Sequence, residues 1–474
     1  MSGSVTVGID IGTTAVKALA VDAEGTVLAR ARIPHRLITP APDRLEHDAA
    51  RAWRQGPLRA LAQVAGEEAV AGVCVASMVP SLTAVDSRGV PRAPGLLYGD
   101  ARGRAPAGRP GGGGPPRAAD AMPDAEGFVA WAVREHPGAR GYWPAQAVAN
   151  YALGRVPAID TGMAMCMGSM RAGTTWDPDV LAAFPVEERQ LPVVVPMGEA
   201  AGAVRAAGPR RGATGAVLSG GTVDALCDQI VCGASEPGDV LVICGATLIV
   251  WAVTDDWLEA PGLWTVPHTV AGKVLVGGPS NAGALFVDWA RALLSQGAHT
   301  TARRPRPAPR PGDPEPARQG DPAAVPVWTP YVRGERAPYH DTTLRAGLHD
   351  LDITHDAAAA ERAAYEASGF VVRHILERAG IAARRIVASG GGTQVLAWMQ
   401  AMADAAGLPV DTVAVPEGAA LGAAYVARWT AGLESSLDGA QRWARVGRRV
   451  EPDVRWQAAA DGRYARFKAL SPPA

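Results

Sequence analysis

The pattern of apolar and polar positions along the chain first shows a weak internal repeat. Residues 5–22 (VTVGIDIGTTAVKALAVD) and 238–255 (GDVLVICGATLIVWAVTD) share one order: an apolar, β-branched run, a turn with glycine and threonine, and a second apolar run that ends in aspartate. Apolar runs separated by a short glycine-containing turn are typical of β-hairpins. The pattern therefore predicts two related hairpins.

Further predicted elements extend this repeat. The segments VAGVCVAS at 70–77 and RIVASGGG at 385–392 are predicted strands that end in small residues. Helical spacing of apolar residues predicts a helix over 356–379, with Thr354 as its N-terminal cap and Gly380 at its end. A duplicated unit of strands and helices predicts two similar α/β domains with a cleft between them, and such clefts are where small ligands usually bind.

Length and charge favour a two-domain protein without a nucleic-acid partner. The chain has 474 residues, of which 48% are hydrophobic and 20% charged, so two domains are more natural than one. The net charge of −1 gives no basic field, so a nucleic-acid partner is not expected. The sequence contains neither a signal-peptide pattern nor an apolar run long enough for a membrane span, and neither is predicted.

Cysteine spacing and low-complexity segments add two predictions. The five cysteines are scattered without a CxxC pair, which argues against a disulfide framework or a zinc site and favours a reducing cytoplasm. Residues 101–118 and 299–323 are rich in proline and arginine and have little apolar surface to bury. Both segments are predicted to be disordered loops.

The first hairpin turn contains residues suited to phosphate chemistry. The backbone N–H groups of Gly12, Thr13 and Thr14 can converge on an anion in such a turn. Asp10 at the end of the first strand could hold Mg²⁺ through water, and Lys17 could neutralise phosphate charge. The alternative is that DxGTT is only a tight turn in a sheet, because short motifs produce many false matches.

The second hairpin turn repeats the backbone pattern without the carboxylate. It consists of Gly245, Ala246 and Thr247, and Ile243 stands at the position that corresponds to Asp10. A duplicated phosphate cradle with one metal-side aspartate suits an asymmetric nucleotide. Sequence drift in a purely structural repeat would give the same asymmetry, so both interpretations stay open.

Two further glycine-rich turns precede predicted helices. Residues 390–392 are three glycines before a helix over 395–406, and they either let a flat ligand approach the backbone or form a plain strand-to-helix turn. Residues 220–221 are two glycines that lead to Asp224 and an apolar helix. The Asp224 carboxylate could cap that helix or accept a proton from a substrate hydroxyl.

Together these residues resemble the FGGY carbohydrate kinases of the actin-like ATPase superfamily. Additional segments match the family's ordered motifs, namely 96–102 (W-x-D-x-R), 328–338 (PY-x-x-GER-x-P), 390–404 (GGG…W-x-Q-x-x-AD) and 421–424 (LGAA). The resemblance implies an α/β fold of two duplicated actin-like (ribonuclease H-like) domains with an interdomain cleft. The implied domains are an N-terminal sugar-binding domain over 1–235, a C-terminal ATP-binding domain over 236–430 and a helical tail over 431–474.

The resemblance also implies an activity and the residues that perform it. The implied reaction is ATP-dependent phosphorylation of a hydroxyl of a small sugar, ketose or polyol, with Mg²⁺ as cofactor. The implied location is the cytoplasm, and the implied assembly is a homodimer. Asp224 would be the general base, and Asp10 would organise Mg²⁺. The implied ATP-binding residues are Gly12, Thr13, Thr14, Lys17, Gly245, Ala246, Thr247, Gly391, Gly392 and Thr393. The implied substrate-binding residues are Ser77, Met78, Val79, Asp100, Asp224 and Ala225.

Two positions depart from the family pattern. Val79 stands where xylulokinase-like members tend to have histidine, and Ala225 stands where asparagine or glutamine is common. A site that binds a hydroxyl strongly rejects analogues that lack it, and this site has lost two such polar groups. The alternatives are therefore a kinase for a modified specialised-metabolite intermediate, or a weakened nucleotide-binding sensor or scaffold. The presence of both Asp10 and Asp224 favours an enzyme.

Overall fold

The computed structural model describes most of the chain. The described residues are 5–66, 69–104, 124–205, 212–296 and 321–472. Most of the two predicted disordered loops, residues 105–118 and 299–320, lies outside them. Within the described part of the chain, no helix is long and apolar enough to cross a membrane.

The chain forms two compact units, each built around its own sheet. Unit 1 consists of Met1–Val231 and Glu417–Ala444, and unit 2 consists of Cys232–Pro416 and Arg445–Ala474. The sequence assigns residues 417–430 to the C-terminal domain instead. They belong to unit 1 because the helix that begins at Gly418 packs directly on the first strand, where Gly8 leaves no room for a side chain beside Ala420.

The strands are numbered β1 to β24 in chain order. In unit 1 they are β1 Val5–Ile11, β2 Ala15–Val21, β3 Val27–Pro34, β4 Glu46–His47, β5 Val70–Ser77, β6 Ser81–Val85, β7 Gly95–Leu97, β8 Gly141–Trp143, β9 Ala158–Asp160, β10 Arg171–Ala172, β11 Thr175–Trp176, β12 Val193–Val195, β13 Ala200–Ala203, β14 Val217–Ser219 and β15 Thr222–Val223. In unit 2 they are β16 Asp239–Cys244, β17 Leu248–Thr254, β18 Trp264–Pro267, β19 Val274–Ser280, β20 Val327–Thr329, β21 Gly347–His349, β22 Arg385–Ser389, β23 Val410–Val413 and β24 Val446–Val450.

The α-helices are numbered in the same way. They are α1 Gly56–Val64, α2 Asp124–Glu135, α3 Ala145–Gly154, α4 Thr161–Met165, α5 Pro178–Leu181, α6 Asp224–Cys232, α7 Ala284–Gln296, α8 Ala357–Ala379, α9 Leu396–Ala406, α10 Gly418–Thr430 and α11 Val454–Leu470. A π-helical segment covers Ala50–Gln55. Short 3₁₀ helices cover Ala101–Gly103, Gly168–Met170, Glu188–Gln190, Gly391–Gln394 and Asp438–Trp443.

The main sheet of unit 1 has the order β13-β14-β5-β1-β2-β3, with β15 also paired to β5. All seven residues of β1, including Thr6 and Asp10, are buried, as expected of a central strand that is covered on both faces. Strand β3 lies at the sheet edge and alternates buried and exposed residues near its end. A four-stranded sheet of order β4-β7-β6-β8 completes the ordered core of the unit.

The main sheet of unit 2 has the order β18-β19-β17-β16-β22-β23-β24. Its hairpin β16–β17 and the unit 1 hairpin β1–β2 confirm the predicted repeat, because each is antiparallel and each has a first strand that pairs in parallel with a later strand. The tail predicted as helical contains α11 but also the exposed strand β24. That strand pairs with β23 because the edge of β23 otherwise leaves backbone groups without partners.

The long helix α8 tests the predicted helix over 356–379. The body and the end at Gly380, which has a left-handed φ of 65°, are confirmed. The predicted cap Thr354 is wrong. The Asp356 side chain accepts the Ala359 N–H at 2.9 Å and caps the helix, since a carboxylate satisfies a free N–H group in the first turn. Thr354 instead donates its hydroxyl to Asp352 at 2.6 Å.

Candidate active site

Three parallel strands of unit 1 end side by side and bring several predicted residues together. In the strand register, Ile11 of β1 pairs with Ser77 of β5, and Ser77 pairs with Val223 of β15. Met78 and Asp224 therefore leave the sheet at the same edge as the turn that follows Ile11. The carboxyl edge of parallel strands is where α/β folds place ligands.

Asp10 and Lys17 form an ion pair across the hairpin. They are direct partners in the antiparallel register of β1 and β2, and Lys17 Nζ donates to Asp10 Oδ2 at 3.3 Å. Asp10 is buried, while Lys17 is partly exposed. The negative charge of Asp10, followed by those of Asp228 and Glu417, raises the pKa of Lys17 against the opposing effect of burial. Lys17 therefore stays fully charged beside the turn at neutral pH.

Asp224 is the first residue of α6 and is partly exposed at the strand edge. Its carboxylate accepts the N–H of Ala225 at 2.7 Å. Burial of the carboxyl group within the partly exposed residue, and after it the negative charge of Asp10, raises the pKa of Asp224 to about 6. A carboxyl with this pKa is largely ionised at neutral pH and is also basic enough to take up a proton during a reaction.

Asp228 is a member of this charged group that the sequence did not single out. It follows Asp224 by one turn on α6 and is only 5% exposed. Its negative charge acts on Lys17 together with that of Asp10. The spacing of four residues after Asp224 on a predicted helix could have indicated it, because residues i and i+4 share a helix face.

The turn after β1 uses several of the groups that were predicted to bind phosphate. The N–H of Gly12 donates to Ala15 O at 3.1 Å, which closes the turn. The Thr13 hydroxyl is 2.7 Å from the Tyr98 hydroxyl and is buried. Thr14 is the exposed residue of the turn. The structure therefore leaves Thr14 as the part of the turn that is most accessible to a ligand.

The predicted substrate-binding residues fall into two groups. Met78 is buried and Val79 half-buried at the strand edge, beside Ser77, whose buried hydroxyl has no hydrogen-bond partner among the described residues. Asp100 is different, because it is 0% exposed. Its carboxylate accepts from Leu45 N at 2.7 Å and from Arg102 N, Nε and Nη2 at 2.9, 2.8 and 2.6 Å. These four hydrogen bonds occupy the lone pairs with which the Asp100 carboxylate accepts hydrogen bonds.

The second hairpin turn, in unit 2, is anchored on a helix. Gly245 N donates to Thr247 O at 3.0 Å, which closes a turn of three residues. The carbonyls of Gly245 and Ala246 accept the N–H groups of Ala284 and Leu285, at 2.9 and 3.0 Å. These N–H groups open α7 and would otherwise lack partners within the helix. The turn and the start of α7 therefore hold each other in place.

The three glycines at 390–392 have separate physical roles. Gly390 has a φ of 90°, and a side chain on Gly392 would lie 2.6 Å from the Trp398 ring and 2.8 Å from Cys244 Cβ. A side chain on Gly391 would meet nothing within 4 Å. Thr393 is buried and donates its hydroxyl to Gly390 O at 2.8 Å. Of the predicted group, only Gly391 faces open space.

A buried glutamate supports the same region of unit 2. Glu335 accepts from Ser280 Oγ and Asn281 N, each at 2.8 Å, and from Arg336 N at 2.7 Å. Burial raises the pKa of Glu335 to about 7. Ser280 is the register partner of Leu248, the first residue after the second turn. Glu335 thus braces the strand next to that turn, in line with a structural role for the GER segment.

Family profiles match both halves of the chain. The N-terminal domain of the FGGY family of carbohydrate kinases matches residues 5–105, and the C-terminal domain of that family matches residues 240–431. The two matches together span more than half of the chain. The chain belongs to the FGGY family of carbohydrate kinases. The family identified from the sequence is therefore confirmed.

Individual relatives of this FGGY kinase match over nearly its full length. The xylulose kinase of Streptomyces coelicolor is 28% identical, with 93% of this chain and 91% of that protein covered. The xylulose kinase of Escherichia coli is 24% identical, with 98% of each chain covered. The crystal structure of xylulose kinase from Rhodospirillum rubrum has a TM-score of 0.72 and 27% identity, with 98% of each chain covered. The predicted two-domain actin-like α/β fold is confirmed.

Family membership establishes the class of reaction. This FGGY kinase is a phosphotransferase that uses ATP as phosphate donor and an alcohol group of a small sugar or polyol as acceptor. The enzyme class predicted from the sequence is confirmed at this level.

Proposed function

We propose that Asp224 is the general base of this kinase. The observation that carries the proposal is the position of Asp224 at the carboxyl edge of β1, β5 and β15, with a pKa raised to about 6 beside the Asp10–Lys17 pair. As the acceptor oxygen forms its bond to the γ-phosphorus, Asp224 takes the hydroxyl proton, and the bond to the bridging oxygen of ADP breaks. The rest of the catalysis is positioning and charge neutralisation.

The ATP-binding residues are proposed from the two turns and the triple glycine. In unit 1 these are Gly12, Thr13, Thr14 and Lys17, where Lys17 supplies positive charge and Thr14 supplies an exposed backbone donor. In unit 2 they are Gly245, Ala246, Thr247, Gly391, Gly392 and Thr393. We assign direct contact with adenosine to Gly391, and we assign Gly392 and Thr393 to the shape of the turn beneath it.

Asp10 fits a magnesium ion that is held mainly by phosphates and water. Mg²⁺ in nucleotide sites is usually bound by one or two carboxylates together with phosphate oxygens and water. Asp10 offers one carboxylate, with one oxygen shared with Lys17. Within the described residues, no group of three or more His, Cys, Asp or Glu could hold a metal ion without the nucleotide. When bound, Mg²⁺ would neutralise charge on the β- and γ-phosphates.

For the acceptor we propose a ketose or polyol with an apolar neighbouring group. The relatives named above are xylulose kinases, which supports a ketose-type acceptor. Val79 and Ala225 are partly exposed and apolar at the strand edge where a hydroxylated substrate would be expected to meet polar groups. This observation favours the second candidate, a kinase for a modified specialised-metabolite intermediate. The cytoplasmic location and the homodimer stay predictions.

A coupled ADP-release screen tests this proposal. The purified protein with ATP and Mg²⁺ is assayed against ketoses, aldoses, polyols, sugar acids, cyclitols and their deoxy or methylated derivatives. We expect turnover with at least one ketose or polyol, and higher kcat/KM for derivatives that lack one hydroxyl. The Asp224→Ala variant is the control for base-dependent transfer. Absence of turnover with the whole panel, or equal turnover by the variant, would contradict the proposal.

A further inference from the structure

A buried array of aromatic and polar side chains lies behind the first hairpin turn of unit 1. The carbonyl oxygen of Thr13 is 2.7 Å from His47 Nε2, and the Trp53 indole Nε1–H donates to His47 Nδ1 at 2.9 Å. His35 packs edge-on against His47 with ring centroids 4.4 Å apart. His47 and Trp53 are 1% and 0% exposed. No site residue predicted from the sequence belongs to this array except Thr13.

The hydrogen bonds fix the tautomer of His47. An indole N–H can only donate, so His47 Nδ1 must be an unprotonated acceptor. Nε2 then carries the proton and donates it to the Thr13 carbonyl. Burial, and after it the neighbouring His35, lowers the pKa of His47 to about 3, so the ring is neutral under physiological conditions. Trp53 thus makes His47 a permanent one-proton donor to the turn.

The bond to Thr13 determines how the next peptide group faces. The Thr13–Thr14 peptide is trans, and in a planar trans peptide the C=O and N–H groups point in opposite directions. The Thr13 C=O points to the buried His47 ring, so the N–H of Thr14 points away from that ring. The Thr14 carbonyl is also held, because it accepts the His35 N–H at 3.0 Å. Thr14 itself is exposed.

We propose that His47 and Tyr98 are positioning residues that hold Thr13 from two sides, so that the N–H of Thr14 faces the transferring phosphates of ATP. His47 binds the Thr13 carbonyl, and Tyr98 binds the Thr13 hydroxyl at 2.7 Å. Neither residue touches substrate in this account. The inference rests on the proposed phosphate-binding role of the turn and adds the device that orients it. A preorganised backbone donor stabilises phosphate charge without reorganisation during transfer.

The hydrogen bond from His47 determines which backbone group faces the phosphates. Without a hydrogen-bond donor at position 47, the Thr13 carbonyl is buried and unsatisfied. This penalty favours rotation of the Thr13–Thr14 peptide plane. A turned peptide would present a carbonyl oxygen instead of an N–H to the phosphates, and the two negative groups would repel each other. Loss of His47 therefore weakens binding of the phosphates and leaves contacts to adenosine unchanged.

The test compares two ligands on the full-length protein by calorimetry: the β,γ-imido analogue of ATP with Mg²⁺, and adenosine. In His47→Leu, which is similar in size but cannot donate, we expect the Kd of the analogue to rise about tenfold or more. The Kd of adenosine should stay within about twofold of the wild-type value. His47→Gln keeps one donor and one acceptor on the side chain, and it should recover most of the affinity for the analogue.

Tyr98→Phe provides a second variant that removes only one hydroxyl. It should raise the Kd of the analogue about threefold without changing that of adenosine. If His47→Leu does not fold, Tyr98→Phe and His47→Gln decide the question alone. Analogue affinity in Tyr98→Phe equal to wild type, or loss of both ligands in parallel in a folded variant, would overturn the inference. A wild-type protein that binds neither ligand and phosphorylates no acceptor would overturn the proposed function as well.

Discussion

The hairpins β1–β2 and β16–β17 have the same topology in their two sheets but different residues at the decisive positions. Four residues separate the last register partners Ile11 and Val16, whereas three separate Cys244 and Leu248. At the next pair along the strands, away from the turn, the first hairpin has the charged partners Asp10 and Lys17. The second hairpin has Ile243 and Ile249 there. The same backbone frame thus supports an ion pair in one unit and an apolar pair in the other.

The carbonyl groups of the two turns receive their hydrogen bonds from different donors. In unit 2 the turn carbonyls accept N–H groups at the start of α7. In unit 1 the Thr13 carbonyl is bound by the His47 ring. Both arrangements fix the peptide groups of the turn, because buried carbonyls require donors. Hydrogen bonds hold both turns, and the Asp10–Lys17 pair beside the first turn is the difference on which the proposed chemistry depends.

The largest expected effect on the use of ATP comes from removing the charge that distinguishes the two hairpins. Asp10→Asn should lower kcat/KM for ATP by about 100-fold or more, because the metal-side carboxylate is lost while the shape is kept. Ile243→Val at the corresponding position is the matched control, and it should cost only about 1 kcal/mol of stability. The measurement is steady-state kinetics with an acceptor found in the screen. Equal effects of the two substitutions would break the comparison.

The next prediction compares Gly392, which is assigned a packing role, with Gly391, which is assigned a contact with adenosine. Gly392→Ala should lower the free energy of unfolding by about 1–3 kcal/mol, because the added methyl group meets Trp398 and Cys244. Gly391→Ala should leave thermal stability nearly unchanged and raise the KM for ATP. Thermal unfolding and ATP kinetics on both variants check this. A stable Gly392→Ala protein would contradict the assigned packing role.

A further effect concerns the pH dependence of stability. The pKa of Asp224 is raised from 3.8 to about 6 in the folded protein, so the folded state binds this proton more tightly than the unfolded chain does. Ionised Asp224 therefore destabilises the fold above pH 6, and the cost fades as the pH falls towards 4. Asp224→Asn should be more stable than wild type by about 1–3 kcal/mol at pH 8 and equal to it near pH 4. Denaturant unfolding at both pH values measures it, and a variant less stable at pH 8 would contradict the prediction.

The sequence predicts the frame of the molecule well. Both hairpins, the strand at 70–77 and the helix that ends at Gly380 have continuous local patterns, and local patterns are visible in one chain. The sequence also predicts the charged turn and Asp224, because the residues of each motif lie close together in sequence. The different turn lengths were not visible, because an ungapped alignment of the two repeats pairs every residue.

The remaining site residues depend on contacts that are distant in sequence. Thr13 meets Tyr98 and His47 through folding of separate strands, and no local pattern joins them. The family motif places Asp100 in the sugar pocket, and in the structure its carboxylate accepts hydrogen bonds from Arg102 and Leu45. Whether a carboxylate faces a ligand or a salt bridge depends on the tertiary environment rather than on the motif.

Single-turnover transfer of the γ-phosphate by Asp224→Asn tests directly whether Asp224 is the general base. With a substrate from the screen, saturating ATP and Mg²⁺, we expect the transfer rate to fall by about 10²–10⁴-fold relative to wild type. The Kd of ATP should stay within about threefold, because the base contacts the acceptor rather than the nucleotide. A transfer rate close to wild type in this variant would contradict the central claim that Asp224 removes the acceptor proton.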